Sequence, residues 1–286
     1  MNNKKYLEKI KKYYDDSQLI YRLFWMNKDD LAMHFGYWEN DTKNLHEALI
    51  NENKHVAEKL DISADDKILD AGCGVGGTAI WMTENYGVDV TGITIVEKQV
   101  RLANKYARTR GVEDNVDFAL RDYTETGYPD SSFDKIYAIE SVCHAIDKEA
   151  FIREAYRLLK PGGKLCVCDY FIDHIRNDSD KHDYELFCYG WAMPDLPKKD
   201  EFEILLEKNN FSKVQFSDNT EKALKSSNIM KKMSKRWLVI DKTLHILHLA
   251  TDDNVKGTEA SIAQYNFFKN GVGYHGSFIA EKNAKL

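Results

Sequence analysis

The chain shows two textures of apolar and polar positions. Leu45, Leu49, Val56 and Leu60 recur near helical spacing and predict one amphipathic helix over 43–60. Residues 4–60 as a whole read as helices broken by an aromatic segment, Met33-His34-Phe35-Gly36-Tyr37-Trp38. From 67 onward short apolar runs alternate with helical stretches. Strands are predicted at 68–69, 88–93, 116–120, 133–139 and 164–169, and helices over 77–86, 96–110 and 148–159. The last of these helices stops before Pro161-Gly162-Gly163, which cannot continue it. Strict alternation with crossovers of this length predicts a parallel sheet covered on both faces.

Beyond 170 the pattern loosens. Residues 170–200 read as aromatic and irregular, 200–208 as helix and 214–216 as a short strand, with helical stretches at 220–250 and 256–269 and a last strand at 274–281. The chain divides accordingly into an N-terminal helical lid segment (1–60), an alternating core (61–170), insertions carrying strand six (171–272) and a strand that completes the sheet (273–286). The segments outside the core are candidates to cover the sheet's carboxyl edge, where open α/β sheets bind ligands.

Composition narrows the function classes. Forty basic against forty-six acidic side chains in 286 residues give a net charge of −6, which removes the long-range attraction of a general nucleic-acid binder. No apolar run approaches the roughly 18 residues of a membrane span. The charged start, Met1-Asn2-Asn3-Lys4-Lys5-Tyr6, has no apolar signal core, so a cytoplasmic protein is expected. The five cysteines, Cys73, Cys143, Cys166, Cys168 and Cys188, form no C-x-x-C pair, so neither a disulfide framework nor a metal site is expected. Homo-oligomerisation stays open.

The strongest local signal is Ile68-Leu69-Asp70-Ala71-Gly72-Cys73-Gly74-Val75-Gly76-Gly77, a glycine turn between a strand and a helix. It contains G-x-G-x-x-G at Gly72, Gly74 and Gly77, a pattern several nucleotide-type cofactors exploit and one that also serves tight strand–helix packing. Two details argue against a dinucleotide. Asp70 stands two residues before the first glycine, where a carboxylate suits a cationic ammonium better than a pyrophosphate. The second strand ends in Ile93-Thr94-Ile95-Val96, with no acid to take a ribose 2′-hydroxyl. A nicotinamide-dependent dehydrogenase is therefore the outside alternative.

The run L-D-A-G-C-G-V-G-G resembles the first motif of class I S-adenosylmethionine-dependent methyltransferases. Arg121-Asp122-Tyr123, Ser132-Phe133-Asp134 and Leu158-Leu159-Lys160-Pro161-Gly162-Gly163-Lys164-Leu165 resemble later motifs in order and spacing. Tyr13-Tyr14-Asp15, His34 to Trp38, Val90 to Thr94 with Gln99, and Glu140 to His144 resemble a narrower branch. That branch includes sterol, tocopherol, cyclopropane-fatty-acid, prenyl diphosphate and certain sugar methyltransferases. The resemblance implies a Rossmann-like, doubly wound α/β fold with a seven-stranded, mostly parallel sheet, an antiparallel last strand and a helical lid. It also implies S-adenosylmethionine as cofactor, with 61–170 as its core and 171–272 as acceptor-binding insertions. Cofactor contacts would come from Tyr14, Asp70, Gly72, Gly74, Thr94, Gln99, Asp122, Tyr123 and Glu140, with Thr94 and Gln99 near the ribose and Asp122 with Tyr123 near adenine.

Methyl transfer from a sulfonium needs positioning, exclusion of water and, for some acceptors, a base. Glu140 and His144 follow strand four and Asp169 ends strand five, so the three are expected to meet at the carboxyl edge. His144 is a candidate base with Asp169 orienting it. Sugar-methylating relatives carry two histidines where this chain has Cys143-His144, which separates the two. Glu140 is a candidate base for an allylic proton or an anchor on the cofactor side. Aromatic faces tolerate a cation, and Tyr21, Trp25, His34, Tyr37, Trp38, Tyr170, Trp191, Tyr265 and Phe268 are candidate acceptor contacts, although ordinary helix packing accounts for any one of them. Lys225, Lys231, Lys232, Lys235 and Arg236 form either a holder for an anionic acceptor head or a solvated helix face. The expected acceptor is a small, largely apolar molecule: carbon methylation of a prenyl, sterol-like or quinone compound, with oxygen or nitrogen methylation of a phenolic, amine or sugar natural product as the alternative.

Overall fold

The computed structural model describes residues 3–246 and 252–284. Seven strands form one sheet: β1 (Lys67–Ala71), β2 (Asp89–Thr94), β3 (Val116–Leu120), β4 (Phe133–Ile139), β5 (Leu159–Ile172), β6 (Phe211–Asp218) and β7 (Gly273–Lys282). Their order is β3-β2-β1-β4-β5-β7-β6, and β7 alone runs antiparallel to both its neighbours. The central strands are short apolar runs because helices cover both faces. On one face Leu69, Ile136, Val167 and Phe278 pack with Ile152 and Leu206; on the other Ile68, Val90 and Tyr137 pack with Val56, Ala79 and Ile80.

The crossover helices start and stop where local chemistry directs. Helix α2 (Leu45–Leu60) begins at Asn44, whose side chain accepts from the Glu47 N–H. Helices α3 (Gly77–Tyr86) and α4 (Glu97–Arg110) end at Gly87 and Gly111, both left-handed. Helix α5 (Lys148–Leu158) is capped by Asp147. Helix α1 (Asn3–Phe24) precedes them, and α7 (Lys199–Lys208), α8 (Thr220–Ile246) and α9 (Asp252–Lys269) follow. Among the described residues no helix is long and apolar enough to cross a membrane.

Three expectations change. The segment 170–200 contains a further helix, α6 (Asp178–Gly190), started by Asn177 accepting from the Asp180 N–H. Its apolar face is short, Phe187 and Cys188 at its end, so periodicity alone does not reveal it. Strand β5 begins at Leu159, pairs with Phe133 and bulges through Pro161-Gly162-Gly163 before Lys164 resumes opposite Lys135. Strand β6 extends beyond 214–216 at both ends because β7 pairs along it.

Candidate active site

The sheet order reverses between β1 and β4, so the chain leaves these neighbouring strands towards opposite faces and a crevice opens at their tips. The β1 tip is the glycine turn. Gly72 has φ +102°, and a Cβ there would lie 2.4 Å from the Ser141 Cβ, so only glycine lets the β1 and β4 tips approach this closely. Gly77 is required sterically instead: a Cβ would meet the Leu31 carbonyl oxygen at 2.5 Å. The β4 tip ends at Glu140, a non-glycine residue in the left-handed region at φ 46°, followed by a 3-10 turn at Val142–His144.

A cavity of about 380 Å³ lies over these tips, within the roughly 300–1,000 Å³ of small-molecule sites. All nine residues expected to contact the cofactor line it: Tyr14, Asp70, Gly72, Gly74, Thr94, Gln99, Asp122, Tyr123 and Glu140. The Thr94 hydroxyl donates to Gln99 Oε1 at 2.6 Å, Asp122 Oδ1 accepts from the Thr124 N–H at 2.8 Å, and the Tyr123 hydroxyl donates to the Ser141 carbonyl at 3.0 Å. Asp70 accepts from the Tyr137 hydroxyl at 2.8 Å. Burial lifts its carboxyl to about 7 against that hydrogen bond and the charge of His34.

Of the three candidate catalytic residues, two line the cavity. His144 Nε2 lies 2.9 Å from the Tyr14 hydroxyl, and His144 Nδ1 is buried without a hydrogen-bond partner. Burial pushes this imidazole down to about 4, so it is neutral at physiological pH. Asp169 is not its partner. Asp169 Oδ2 accepts from the Cys143 N–H at 2.9 Å and Oδ1 from the Tyr170 N–H at 2.8 Å, which fixes the turn carrying His144 rather than the ring itself. Glu140 is heavily engaged: Oε1 accepts from the Phe35 N–H at 2.7 Å and lies 3.0 Å from His275 Nε2, and Oε2 accepts from the Tyr170 hydroxyl. Burial opposes its ionisation, but the His275 hydrogen bond and charge, His34 and Tyr170 together hold it below the usual carboxylate range.

The aromatic acceptor set needs correction. Of Tyr21, Trp25, His34, Tyr37, Trp38, Tyr170, Trp191, Tyr265 and Phe268, only His34 lines the cavity. Trp25, Tyr37, Tyr170 and Phe268 are buried in a third apolar cluster with Phe35, Phe187 and Phe267, against which Tyr21 and Trp191 pack. Trp38 and Tyr265 are half-buried beneath Lys225 and Lys231, each ammonium 3.6 Å from a ring centroid. Two of the basic residues on α8 are thus stacked on aromatic rings, and none of the five lines the cavity. Its wall also includes Tyr6, Leu7 and Ile10 of α1, Leu31 to Met33, and Ala145, Ile146 and Ala150, and no described residue after Ala150 contributes.

Two buried residues that sequence reasoning passed over stand behind this wall. Glu52 of α2 accepts from His34 Nδ1 at 2.8 Å, and His275 of β7 bonds Glu140 as described. Burial presses the His34 imidazole down, but Glu52 outweighs it and lifts His34 to about 9. The only available signal was a carboxylate and an imidazole at positions that the helix and strand patterns make inward-facing.

The sequence profile described as "Mycolic acid cyclopropane synthetase" matches residues 1–217. "Methyltransferase GfsG" of Streptomyces halstedii is 34% identical over 73% of this chain and 74% of its own. "27-O-demethylrifamycin SV methyltransferase" of Amycolatopsis mediterranei is 43% identical over 49% of this chain, which spans about half (52%) of that relative. Among solved structures, the mycolic acid cyclopropane synthase CmaA1 complexed with SAH and CTAB superposes with a TM-score of 0.83 over 96% of this chain and 98% of that one, at 19% identity. The sheet order with its antiparallel last strand, the glycine cradle and these likenesses agree: the chain belongs to the mycolic acid cyclopropane synthetase family and is an S-adenosylmethionine-dependent methyltransferase of small molecules.

Proposed function

We propose that the chain methylates a hydroxyl oxygen of a small natural product, with His144 as the proton acceptor. The observation that carries this reading is the Tyr14–His144 pair: a neutral imidazole on the cavity wall with a hydroxyl 2.9 Å from its Nε2. That atom is where an acceptor hydroxyl would bond, beside or in place of Tyr14. Glu140 is a poor rival as base, since both its oxygens are already hydrogen-bonded. The relative named for a 27-O-demethylated substrate supports oxygen as the acceptor atom.

The cradle fits S-adenosylmethionine. Gly72 admits no side chain, Asp70 offers a carboxylate for an ammonium, and Thr94, Gln99, Asp122 and Tyr123 line the side on which a nucleoside would rest. When bound, this cofactor supplies an electrophilic methyl group on a sulfonium. The protein's part is to hold the acceptor oxygen against that group, exclude water and receive the proton. An oxygen that gains a methyl while still protonated is strongly acidic, so the weakly basic His144 suffices. Tyr14 holds the Nε2 edge in place, and Tyr6, Leu7 and Ile10 close the wall above it.

The test is His144→Ala with transfer of labelled methyl measured separately from cofactor affinity. Turnover is expected to fall by about 10²–10⁴-fold with affinity within twofold; unchanged turnover sinks the reading. Carbon methylation of a prenyl, sterol-like or quinone acceptor is the second reading, favoured by the apolar wall of Leu7, Ile10, Ile146 and Ala150. Offering hydroxylated natural products and prenyl or quinone lipids in separate pools distinguishes the two.

A further inference from the structure

At the cavity wall and directly behind it, two acids and two histidines alternate in a buried cluster. Glu52 and His275 are fully buried, His34 and Glu140 nearly so. Glu52 Oε2 lies 2.8 Å from His34 Nδ1 and Glu52 Oε1 lies 3.9 Å from His275 Nε2, which in turn bonds Glu140 at 3.0 Å. His275 Nδ1 reaches the Tyr37 hydroxyl at 3.2 Å. Lone buried charges are costly, and four groups of this kind close together persist only if their charges cancel. Two carboxylates and two imidazolium ions do cancel.

The four divide into two layers. His34 and Glu140 line the cavity; Glu52 and His275 do not. His34 Nε2 is buried without a hydrogen-bond partner, and so is Glu52 Oε1. With Nδ1 held by Glu52 and the Phe35 carbonyl, Nε2 is the one donor that the His34 ring still has to give. Four acids line the cavity, Asp70, Asp122, Glu140 and Asp147; the two that lie within reach of the His34 charge, Glu140 and Asp70, form with it a patch that matches a ligand bearing both a carboxylate and an ammonium, as the amino-acid end of the cofactor does.

We propose that Glu52 and His275 are positioning residues for the cofactor's amino-acid end: from α2 and β7 they fix His34 as a cation and Glu140 as an anion at set places on the cavity wall. The inference rests on the cofactor assignment and is independent of the acceptor. Asp70, Asp169, Tyr37, Tyr170 and His55 also face this array and belong to its charge balance.

The test compares two probes on the full chain by calorimetry. S-adenosylhomocysteine carries the amino-acid end; 5′-methylthioadenosine has the same nucleoside and sulfur without it. Glu52→Gln and His275→Asn are each expected to weaken S-adenosylhomocysteine at least tenfold and to leave methylthioadenosine within twofold, with KM for the methyl donor rising more than kcat falls. Glu52→Asp, which keeps the charge, should restore part of the loss. Equal loss of both probes, or no loss of the first, overturns the proposal. Should these variants fail to fold, the wild-type protein decides: ¹³C NMR of labelled histidines, with His34 identified by His34→Gln, should find that ring charged at pH 7.5. A neutral His34 overturns the proposal, as does a stoichiometric divalent metal in the purified chain, for which Glu52, Glu140 and His275 would be the ligand set.

Discussion

Replacing Gly72 by alanine perturbs the point where the β1 and β4 tips touch. The new methyl would lie 2.4 Å from the Ser141 Cβ and 2.7 Å from its Oγ, against about 3.5–4.0 Å for comfortable carbon contacts. One tip must therefore retreat by about 1 Å, in a place where Ser141 already donates to the Ala71 carbonyl at 2.6 Å. The backbone at φ +102° adds its own penalty for a residue with a Cβ. Strain of that kind costs about 1–3 kcal/mol and overpacking a further 1–3 kcal/mol, so a total of about 2–6 kcal/mol is expected. Urea denaturation measures it, and methyl-transfer turnover reports the displaced loop, since misplacement by about 1 Å can cost 10²-fold in rate. Ser141→Gly removes the clash but also the Ser141–Ala71 hydrogen bond, so the comparison is made on that background: adding Gly72→Ala to Ser141→Gly should cost only the backbone part, about 1–3 kcal/mol. An unaltered urea midpoint in the single variant, or an equal cost of Gly72→Ala with and without Ser141, would refute the steric argument.

Lys148 donates to the Ala145 and Asp195 carbonyls at 2.7 Å each from a buried position, so Lys148→Met should cost about 3 kcal/mol by urea denaturation. Its charge is also one of the influences lowering His144, so the acid limb of the rate profile should move to higher pH in the same variant. His34 is raised from 6.5 to about 9, so its stabilising pair is complete below pH 6.5 and is lost as pH rises through 9. Asp70, raised from 3.8 to about 7 by burial, loses stability in the same direction at lower pH. Without ligand the melting temperature should therefore fall from pH 6.5 to 9, and His34→Gln should flatten that fall; an equal slope in both proteins counts against the pair. Ala150→Phe narrows the cavity beside Ile146, where the proposed function seats the acceptor, and should raise acceptor KM at least tenfold in steady-state kinetics while S-adenosylhomocysteine affinity stays within twofold.

The cavity lining at the strand tips was legible in the sequence because its residues are tied to those tips. A run such as Ile68-Leu69 ending in Gly72 locates a tip, and adjacent parallel strands place all tips on one edge. The surroundings of the aromatic residues were not legible, because spacing cannot say whether a ring faces a cavity or another ring. Tyr170 packs edge-on against Phe187 and His275, and Phe268 against Phe267, so aromatic density between 170 and 268 marks a core. Glu52 and His275 were invisible for another reason: their partnerships are non-local, His275 reaching back 135 residues to Glu140 and 238 to Tyr37. Helix α6 hid because its first turns are polar and its cap, Asn177, needs no apolar signal.

The place of β7 has a consequence for how the protein comes into being. It lies between β5 and β6, which pair with it and not with each other. Until β7 has left the ribosome, β6 has no partner in the sheet and β5 stands as an open edge whose interior-facing residues include Leu165, Val167 and Phe171. Such an edge is a template for unwanted pairing with other chains. His275 arrives only with β7, so until then Glu140 lacks that partner. A nascent or C-terminally shortened chain thus has the glycine turn but neither a closed sheet nor a balanced site. Sheet closure and completion of the site thus come together, with the arrival of β7.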